Sequence, residues 1–499
     1  MRTIHRLTLL TCLILAACQG VASATPTTSE SANPPETTWD DRTLFGAGLI
    51  EAQQSILNQL PGASIYHIDL TIENDLIHVI GIEEVRYTNQ EDTPLEMLEF
   101  RLFPNILGGA LNVSSISIDG NAVTPDYDLE NSLMIISLTP ALQPGQSVIV
   151  HIDFAVTVPT ELTSNYGVLV STGGVLTLAH SYPMIPVYDD EGWNAEIPPT
   201  EGDLTYADAS FYRVRITAPI DLVLVASGRE VDKQAEDKVQ VVTFAAGPGR
   251  DFFLAASRNY EVHSRKAGEV LINSYAPAEM RAGAQLALDT AAKTIEDFDK
   301  RYGEYPYTEF DIVTTPTYAL GIEYPGITAI TTRIYDLETE LNNTPTRILL
   351  ESTVAHETGH QWFYNLVGND QVDDPWLDES LTQFVTWQYY QDTHGPEGAQ
   401  GFKQSLESRW ARVNRADIPI GLPVREYQDK EYGAIIYGRG GLFFDALKQQ
   451  LGQDNFDAFM KDYVQKYAWG ITSGDDLKQL AEEHCGCDLT PLFEEWVYP

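Results

Sequence analysis

Basic residues are scarce in this sequence. The chain has 499 residues, and its 31 Lys and Arg stand against 72 Asp and Glu, so the formal net charge is −41. A surface this negative repels phosphate backbones, which argues against a nucleic acid partner. Hydrophobic residues make up 43% and charged residues 21%. That balance is typical of globular domains and argues against wholesale disorder.

Cysteine is also rare. Of the four cysteines, Cys12 and Cys18 lie near the start of the chain, and Cys485 and Cys487 stand one residue apart in the segment HCGC. Because no second cysteine pair accompanies HCGC, the segment lacks the ligand set of a zinc site. We expect either a local disulfide between Cys485 and Cys487 or two free thiols, and the sequence leaves both open.

No hydrophobic stretch reaches the length of about 20 residues that a membrane span needs. The apolar run Leu7–Leu15 follows Arg2 and Arg6 and precedes small residues, so residues 1–18 predict an export signal. The segment LAAC, which ends at Cys18, resembles the lipobox of bacterial lipoproteins, in which this cysteine is lipidated. A plain secretory signal with an incidental cysteine is the alternative.

The composition changes after the signal. Residues 19–45 are rich in Ser, Thr and Pro, a composition typical of a flexible tether that cannot bury a core. We therefore expect an exported protein of the cell envelope or the extracellular space, anchored by lipid at Cys18 to a bacterial membrane. The sequence does not say which membrane holds the anchor.

The spacing of hydrophobic residues divides the remaining chain into two regions. Residues 46–262 contain short segments of alternating polarity, such as IHVIGIEEVRYT and SVIVHIDFAVTV, which predict an antiparallel β-domain with one face in solvent. Residues 263–499 contain apolar residues at helical spacing, as in AEMRAGAQLALDTAAKTIEDF and LDESLTQFVTWQYY. The sequence thus predicts an α+β protein with a β-domain followed by a mostly helical domain.

The helical half contains the motif HETGH. His356 and His360 are four residues apart and therefore share one face of a helix, where both imidazoles can bind one metal ion. Glu357 is placed beside the ion rather than on it. Gly359 costs a helix about 1 kcal/mol relative to Ala, which suggests that another backbone approaches closely there.

A catalytic zinc takes three protein ligands and keeps one open position. The segment DPWLDES offers Asp378 and Glu379 as the third ligand, and spacing alone does not choose between them. Asp374 and Pro375 have the residue types that cap and begin a helix, so the acids are expected near a helix start.

The combination of HETGH, eighteen intervening residues and Glu379 in WLDES resembles the signature of the aminopeptidase N family, peptidase family M1 of the gluzincin zinc metallopeptidases. Further segments resemble that family, including FRLFPN, FYRVRITAP, GPGRDFFLAAS, LGIEYPG and IIYGRGG. The resemblance implies a saddle-like β-domain followed by a thermolysin-like zinc peptidase domain. It also implies a short form without the large C-terminal helical domain, and hence a more open cleft.

The resemblance assigns roles to individual residues. His356, His360 and Glu379 bind one Zn²⁺ per chain, although cobalt or manganese suits the same ligands. Glu357 acts as general base and acid. Tyr437 of YGRGG stabilises the oxyanion. Tyr432 is the nearby alternative, and Arg439 replaces the lysine that is usual in the family.

The segment LGIEYPG resembles the family's amine-binding segment, so the resemblance makes Gly321 and Glu323 substrate-binding residues, with Glu323 on the free α-amino group. The family's D-E-P segment, which supplies a second acid, is missing. Asp189, Asp190 and Glu191 are the acids of the corresponding region; one of them could substitute, or all could lie in a solvated turn, and the sequence does not choose.

The predicted function is a zinc-dependent aminopeptidase that hydrolyses N-terminal residues from peptides with free N-termini. One alternative is the same zinc site acting as an endopeptidase or on another bond, without a free-amine requirement. Another is a surface lipoprotein in which the metallopeptidase fold serves as a binding module and catalyses no reaction. The preferred N-terminal residue and the oligomeric state are not predicted.

Overall fold

Short strands build the N-terminal half of the protein. The computed structural model describes residues 39–162 and 165–498. The strands are β1 (Ile65–Ile72), β2 (His78–Thr88), β3 (Leu95–Arg101), β4 (Ala110–Ile118), β5 (Asn121–Ala122), β6 (Asp126–Asp128), β7 (Leu133–Leu142), β8 (Ser147–Thr157), β9 (Leu169–Thr172), β10 (Val175–Leu178), β11 (Tyr188–Asp189), β12 (Gly192–Trp193), β13 (Ser210–Pro219), β14 (Val223–Ala226), β15 (Arg229–Glu236), β16 (Val239–Gly249) and β17 (Leu254–Ser257).

Three larger sheets organise these strands. An eight-stranded sheet has the order β15-β16-β13-β1-β2-β8-β4-β5, a four-stranded sheet the order β14-β17-β10-β9, and a three-stranded sheet the order β3-β7-β6. In the eight-stranded sheet β1 and β13 run parallel, whereas β1 and β2 are antiparallel, as are β2 and β8. Exposed and buried residues alternate along most of β2, as expected of a sheet with one face in solvent.

A five-stranded sheet opens the second half. Its strands are β18 (Tyr260–Ala267), β19 (Val270–Pro277), β20 (Glu309–Thr315), β21 (Gly321–Tyr324) and β22 (Ile327–Thr331), and a short hairpin follows with β23 (Glu340–Leu341) and β24 (Thr344–Pro345). The order is β18-β19-β20-β22-β21, with β21 as an antiparallel edge strand. The predicted domain boundary between residues 262 and 263 falls inside β18.

Helices form most of the remaining chain. They are α1 (Arg281–Tyr302), α2 (Thr346–Gly359), α3 (Glu379–Trp410), α4 (Glu431–Ala434), α5 (Gly440–Leu451), α6 (Gln453–Tyr467), α7 (Gly474–Cys485) and α8 (Thr490–Trp496). A π-helical turn, Ile435–Arg439, joins α4 to α5. Among the described residues, no helix combines the length and the apolar character that crossing a membrane requires. Cys485 and Cys487 are joined by a disulfide, which decides between the two alternatives left open by the sequence.

The packing of α2 against α3 brings the HETGH motif close to Glu379. A Cβ atom on Gly359 would lie 2.9 Å from Cγ2 of Thr382 and 3.2 Å from Cγ2 of Val385. Because Gly359 has no side chain, the side chains of Thr382 and Val385 on α3 can pack closely against α2. The prediction that another backbone approaches Gly359 was wrong, because the nearest atoms belong to side chains.

Arg250, just after β16, links the β-region to the helical region. The residue is 2% exposed, and its guanidinium donates to the carbonyls of Tyr364, Asn365, Gly470 and Ala207. Hydrogen bonds from a charged donor contribute about 1.5–3 kcal/mol each, so this residue fixes the β-region close to the segment that follows α2.

Candidate metal centre

The three predicted metal ligands converge at the junction of α2 and α3. His356 lies in the last turn of α2, and His360 is the residue that caps it. Pro375 begins a single 3₁₀ turn, Pro375–Leu377, and α3 begins two residues later at Glu379. One ligand atom from each of the two histidines and Glu379 lies within 4.8 Å of the others.

The separations of the donor atoms fit a tetrahedral ion. Nε2 of His356 lies 3.0 Å from Oε2 of Glu379 and 3.2 Å from Nε2 of His360, and Nε2 of His360 lies 3.5 Å from the same carboxylate oxygen. Zinc binds nitrogen and oxygen ligands at about 2.0–2.2 Å in tetrahedral geometry, which places neighbouring ligand atoms about 3.3 Å apart. Two imidazoles and one carboxylate are also a donor set that zinc uses.

Groups behind the ligands orient His360. Its Nδ1 lies 3.0 Å from the carbonyl oxygen of Phe363 and 3.5 Å from Oδ1 of Asp378. An Nδ1–H that donates to these oxygens leaves Nε2 free to bind metal. Asp378 thus lies next to Nδ1 of His360, the ring nitrogen that does not face the other ligands. Glu379, by contrast, faces the Nε2 atoms of both histidines. The structure therefore favours Glu379, the ligand implied by the family resemblance.

Buried negative charge surrounds the ligands. Burial alone lowers the pKa of His360, but the charges of Glu323, Asp378 and Glu379 outweigh it and raise the pKa well above its usual value. Burial opposes ionisation of Glu379, yet hydrogen bonds to the two histidines bring its pKa below the usual range. The site therefore favours a cation.

Glu357 lies beside the ligands and is buried. One of its carboxylate oxygens, Oε2, has no hydrogen-bond partner among the described residues. Burial, followed by the charge of Glu323, raises the pKa of Glu357 well above its usual value. Gly321 leaves room for the carboxylate of Glu357, because a Cβ atom at Gly321 would lie 2.4 Å from Oε1 of Glu357. The predicted substrate-binding glycine thus contacts the predicted general base.

Tyr437 lies in the π-helical turn and reaches the site. Its hydroxyl donates to Oε1 of Glu379, and its ring centroid lies 6.2 Å from that of His356. The hydroxyl of Tyr432, the alternative, has no hydrogen-bond partner among the described residues. Arg439 donates to backbone carbonyls near the C-terminus, including that of Trp496, and so supports the fold rather than the site.

Glu323 extends the site beyond the ligands. It lies on the edge strand β21, is 6% exposed, and its Oε1 accepts a hydrogen bond of 3.2 Å from Nε2 of Gln371. The same amide donates to Oδ2 of Asp378 at 2.6 Å. Burial raises the pKa of Glu323, and the charge of Glu379 adds to the effect. Gln371 therefore bridges the two buried acids Glu323 and Asp378.

Asp203 is the site residue that sequence reasoning missed. One of its carboxylate oxygens lies within 4.8 Å of carboxylate oxygens of Asp378 and Glu379. Burial raises the pKa of Asp203 well above its usual value, and Glu323 contributes the largest of the neighbouring charges. The preceding residue, Gly202, has a φ of +86° and donates its N–H to the hydroxyl of Tyr166.

The acids proposed from the sequence for the second amine-binding position lie elsewhere. Asp189 ends β11, and its two oxygens accept from the backbone N–H of Glu191 and from the side-chain amide of Asn194. Asp190 and Glu191 are exposed in the turn. No sequence motif marks Asp203, which comes close to Glu323 only through the fold. Cys18, the predicted lipidation site, lies outside the described residues.

The helical half of the chain matches a known family. Residues 286–496 match the peptidase family M1 domain. Aminopeptidase 2 of Candida albicans is 23% identical over 443 residues, which cover 86% of this chain and 46% of the relative. Human endoplasmic reticulum aminopeptidase 1 is 26% identical over 226 residues, which cover 44% and 24%. The chain thus spans less than half the length of these relatives.

Solved structures agree on the fold. The M1 zinc metallopeptidase from Deinococcus radiodurans matches with a TM-score of 0.66 at 18% identity, covering 88% of this chain and 94% of that one. A mutant of that enzyme bound to a Tyr-Ser-Ala substrate gives the same values. The predicted fold class, an α+β protein with a β-domain followed by a mostly helical domain, is confirmed. Residues 286–496 thus match the domain of peptidase family M1, the family that the sequence resembles.

Proposed function

We propose that the protein is a zinc-dependent aminopeptidase that removes N-terminal residues from peptides with free N-termini. One observation carries the proposal: the buried Glu323 and the half-buried Asp203 lie beside a zinc-type ligand set. We name His356, His360 and Glu379 the metal end of the site, and Glu323 and Asp203 its amine end.

The amine end is suited to an ammonium group. Burial raises the pKa values of both acids; the charge of Glu379 adds to the effect at Glu323, and the charge of Glu323 adds to it at Asp203. A cation placed near both would relieve the repulsion and favour the ionised forms. Because the peptide's N-terminus would be held there, the first peptide bond would reach the metal end, which limits cleavage to one residue.

The metal end would hold zinc on His356, His360 and Glu379. The chemistry that zinc supplies when bound is Lewis acidity, which polarises a carbonyl and makes water a stronger nucleophile. Glu357 takes a proton from the attacking water and passes it to the leaving amine; its raised pKa suits both steps. The hydroxyl of Tyr437, which lies beside Glu379, donates to the oxyanion that develops on the carbonyl.

A paired assay tests the activity. Zinc-loaded protein is given a peptide with a free N-terminus and its N-acetylated twin, each with and without a chelator. We expect cleavage of the free peptide alone, loss of cleavage with chelator and recovery with zinc. Equal cleavage of both peptides would favour an endopeptidase, and cleavage of neither across several N-terminal residues would favour a protein that only binds.

We also propose that the protein is exported and anchored to a bacterial membrane by lipid on Cys18. The charged start, the apolar run and the LAAC segment support this proposal. Replacing Cys18 by Ser should move the protein from the membrane fraction to the soluble fraction, and mass spectrometry should find diacylglycerol on the wild-type cysteine only. An unmodified Cys18 in membrane-extracted protein would contradict the anchor.

A further inference from the structure

Arg409 is a cation close to the metal end of the site. It lies in the last turn of α3, and its Nη1 donates to Oε1 of Gln383 at 2.8 Å and to the backbone carbonyl of Tyr437 at 3.0 Å. The amide nitrogen of Gln383 lies 3.3 Å from Nδ1 of His356. A single side chain therefore separates this guanidinium from a predicted metal ligand.

This arginine has no acidic partner among the described residues. Its Nη1 contacts only carbonyl oxygens, and its Nε and Nη2 donate to no group in that part of the chain. Arg301, Arg425 and Arg439, by contrast, each pair with an aspartate. In a chain with 72 acidic and 31 basic residues, a half-buried arginine that no carboxylate neutralises requires an explanation.

A second arginine adds positive charge. Arg412 follows three residues after Arg409 and is exposed in the 3₁₀ turn Ala411–Val413. Burial, followed by the charge of Arg412, lowers the pKa of Arg409 to about 10, so Arg409 is a cation at neutral pH. Because the two cations repel each other, an anion bound beside them would be stabilised.

The site carries opposite charges on its two histidine sides. The amine end is connected to His360, because Asp378 lies 3.5 Å from Nδ1 of that histidine and shares a hydrogen-bonding amide with the amine end. Arg409 is connected to the other histidine, His356, through Gln383. Acids therefore lie on the His360 side and a cation on the His356 side. A short peptide has the matching charges, an ammonium at one terminus and a carboxylate at the other.

We propose that Arg409 binds the C-terminal carboxylate of the substrate, so that the protein is selective for peptides of two or three residues. The Nε–H and Nη2–H groups of an arginine lie side by side and match the two oxygens of a carboxylate. An extended residue spans only about 3.3–3.6 Å. Since one amide separates Arg409 from His356, the carboxylate has to follow the scissile bond within one or two residues. The inference rests on the proposed aminopeptidase activity and names its substrate class.

A peptide series tests the selectivity on the zinc-loaded protein. The substrates are Ala-Ala-Ala, its C-terminal amide, Ala-Ala-Glu amide and the alanine pentapeptide. We expect kcat/KM of the tripeptide acid to exceed that of each of the other three at least tenfold. Equal values for acid and amide would overturn the inference and leave the aminopeptidase intact. An Ala-Ala-Glu amide or a pentapeptide as good as the acid would overturn the selectivity for short peptides.

Variants separate carboxylate binding from a structural role of Arg409. Arg409→Met should bring the ratio of acid to amide kcat/KM to about one, and Arg409→Lys, which keeps the charge, should retain part of it. A purely structural loss would lower both rates and leave the ratio unchanged, which would overturn the inference. Arg281→Met is the control, because that side chain is 65% exposed and pairs with Glu261, and it should keep the wild-type ratio.

A binding measurement does not require turnover. Calorimetry on the zinc-loaded Glu357→Gln variant compares Ala-Ala-Ala with its C-terminal amide, and we expect the acid to bind at least tenfold more tightly. Adding Arg409→Met to that variant should remove the difference. If the wild-type protein cleaves neither peptide, the proposed function fails, and the calorimetry still decides whether Arg409 binds the carboxylate. Equal affinity for acid and amide would overturn the inference.

Discussion

The two ends of the site are assembled from the chain in different ways. At the metal end, His356 and His360 come from one turn of α2 and its cap, and Glu379 begins the next helix. At the amine end, Glu323 lies on an edge strand of the five-stranded sheet, whereas Asp203 lies in a loop of the β-region. The two histidines of the metal end are thus placed by local helix geometry and joined by the start of the next α-helix, whereas the amine end exists only when distant segments meet.

This difference has a functional consequence. Helix geometry and the packing of α2 against α3 form the metal end, so a change in the β-region should leave zinc binding intact. The amine end depends on where the β-region packs, which Arg250 controls through its bonds to the segment after α2. Chemistry and substrate selection should therefore be separable by mutation.

The largest effect is expected at the metal end, from Glu357→Gln. General acid–base catalysis contributes about 100- to 10,000-fold, so kcat should fall by that range. Zinc content, measured by mass spectrometry, should stay near one per chain because Glu357 is not a ligand. An equally large loss of zinc would show that the residue acts on metal binding instead.

Tyr437→Phe should lower kcat somewhat less than Glu357→Gln does. Removing one oxyanion donor lowers kcat by about 100- to 1,000-fold, and KM should change little. Tyr432→Phe is the matched control, since the Tyr432 hydroxyl has no partner among the described residues, and it should retain wild-type kcat. If the two variants behave in the opposite way, the roles assigned to the two tyrosines are exchanged.

Asp203→Asn tests the amine end alone. A hydrogen bond to a charged group contributes about 1.5–3 kcal/mol, so kcat/KM for free-amine peptides should fall by about 10- to 150-fold. Zinc content should not change. Asp190→Asn, in the exposed turn, should have wild-type kinetics, and equal losses in both variants would remove Asp203 from the site.

The smallest effect concerns the helix packing that forms the metal end. Gly359→Ala places a methyl 2.9 Å from Thr382, and overpacking of about 1–3 kcal/mol should exceed the gain in helix propensity of about 1 kcal/mol. Gly401→Ala, where nothing lies within 4 Å, should instead raise the free energy of unfolding. Urea denaturation measures both changes, and a more stable Gly359→Ala variant would contradict the packing.

The metal end could be predicted from the sequence more fully than the amine end. The spacing of His356 and His360 in a helix requires no tertiary information, and the family resemblance supplied Glu379 and Glu323. Asp203 could not be found this way, because its only signal is a Gly-Asp turn without a motif. Gly359 was correctly identified as a close contact, but a helical glycine does not show whether a side chain or a backbone approaches it.

The most direct measurement is a crystal structure of the zinc-loaded Glu357→Gln variant with an uncleaved tripeptide. We expect the peptide's amino nitrogen to lie within hydrogen-bonding distance of Glu323 and Asp203, with the first peptide bond at the single zinc ion held by His356, His360 and Glu379. A peptide whose N-terminus lies elsewhere, with an internal bond at the metal, would contradict the aminopeptidase.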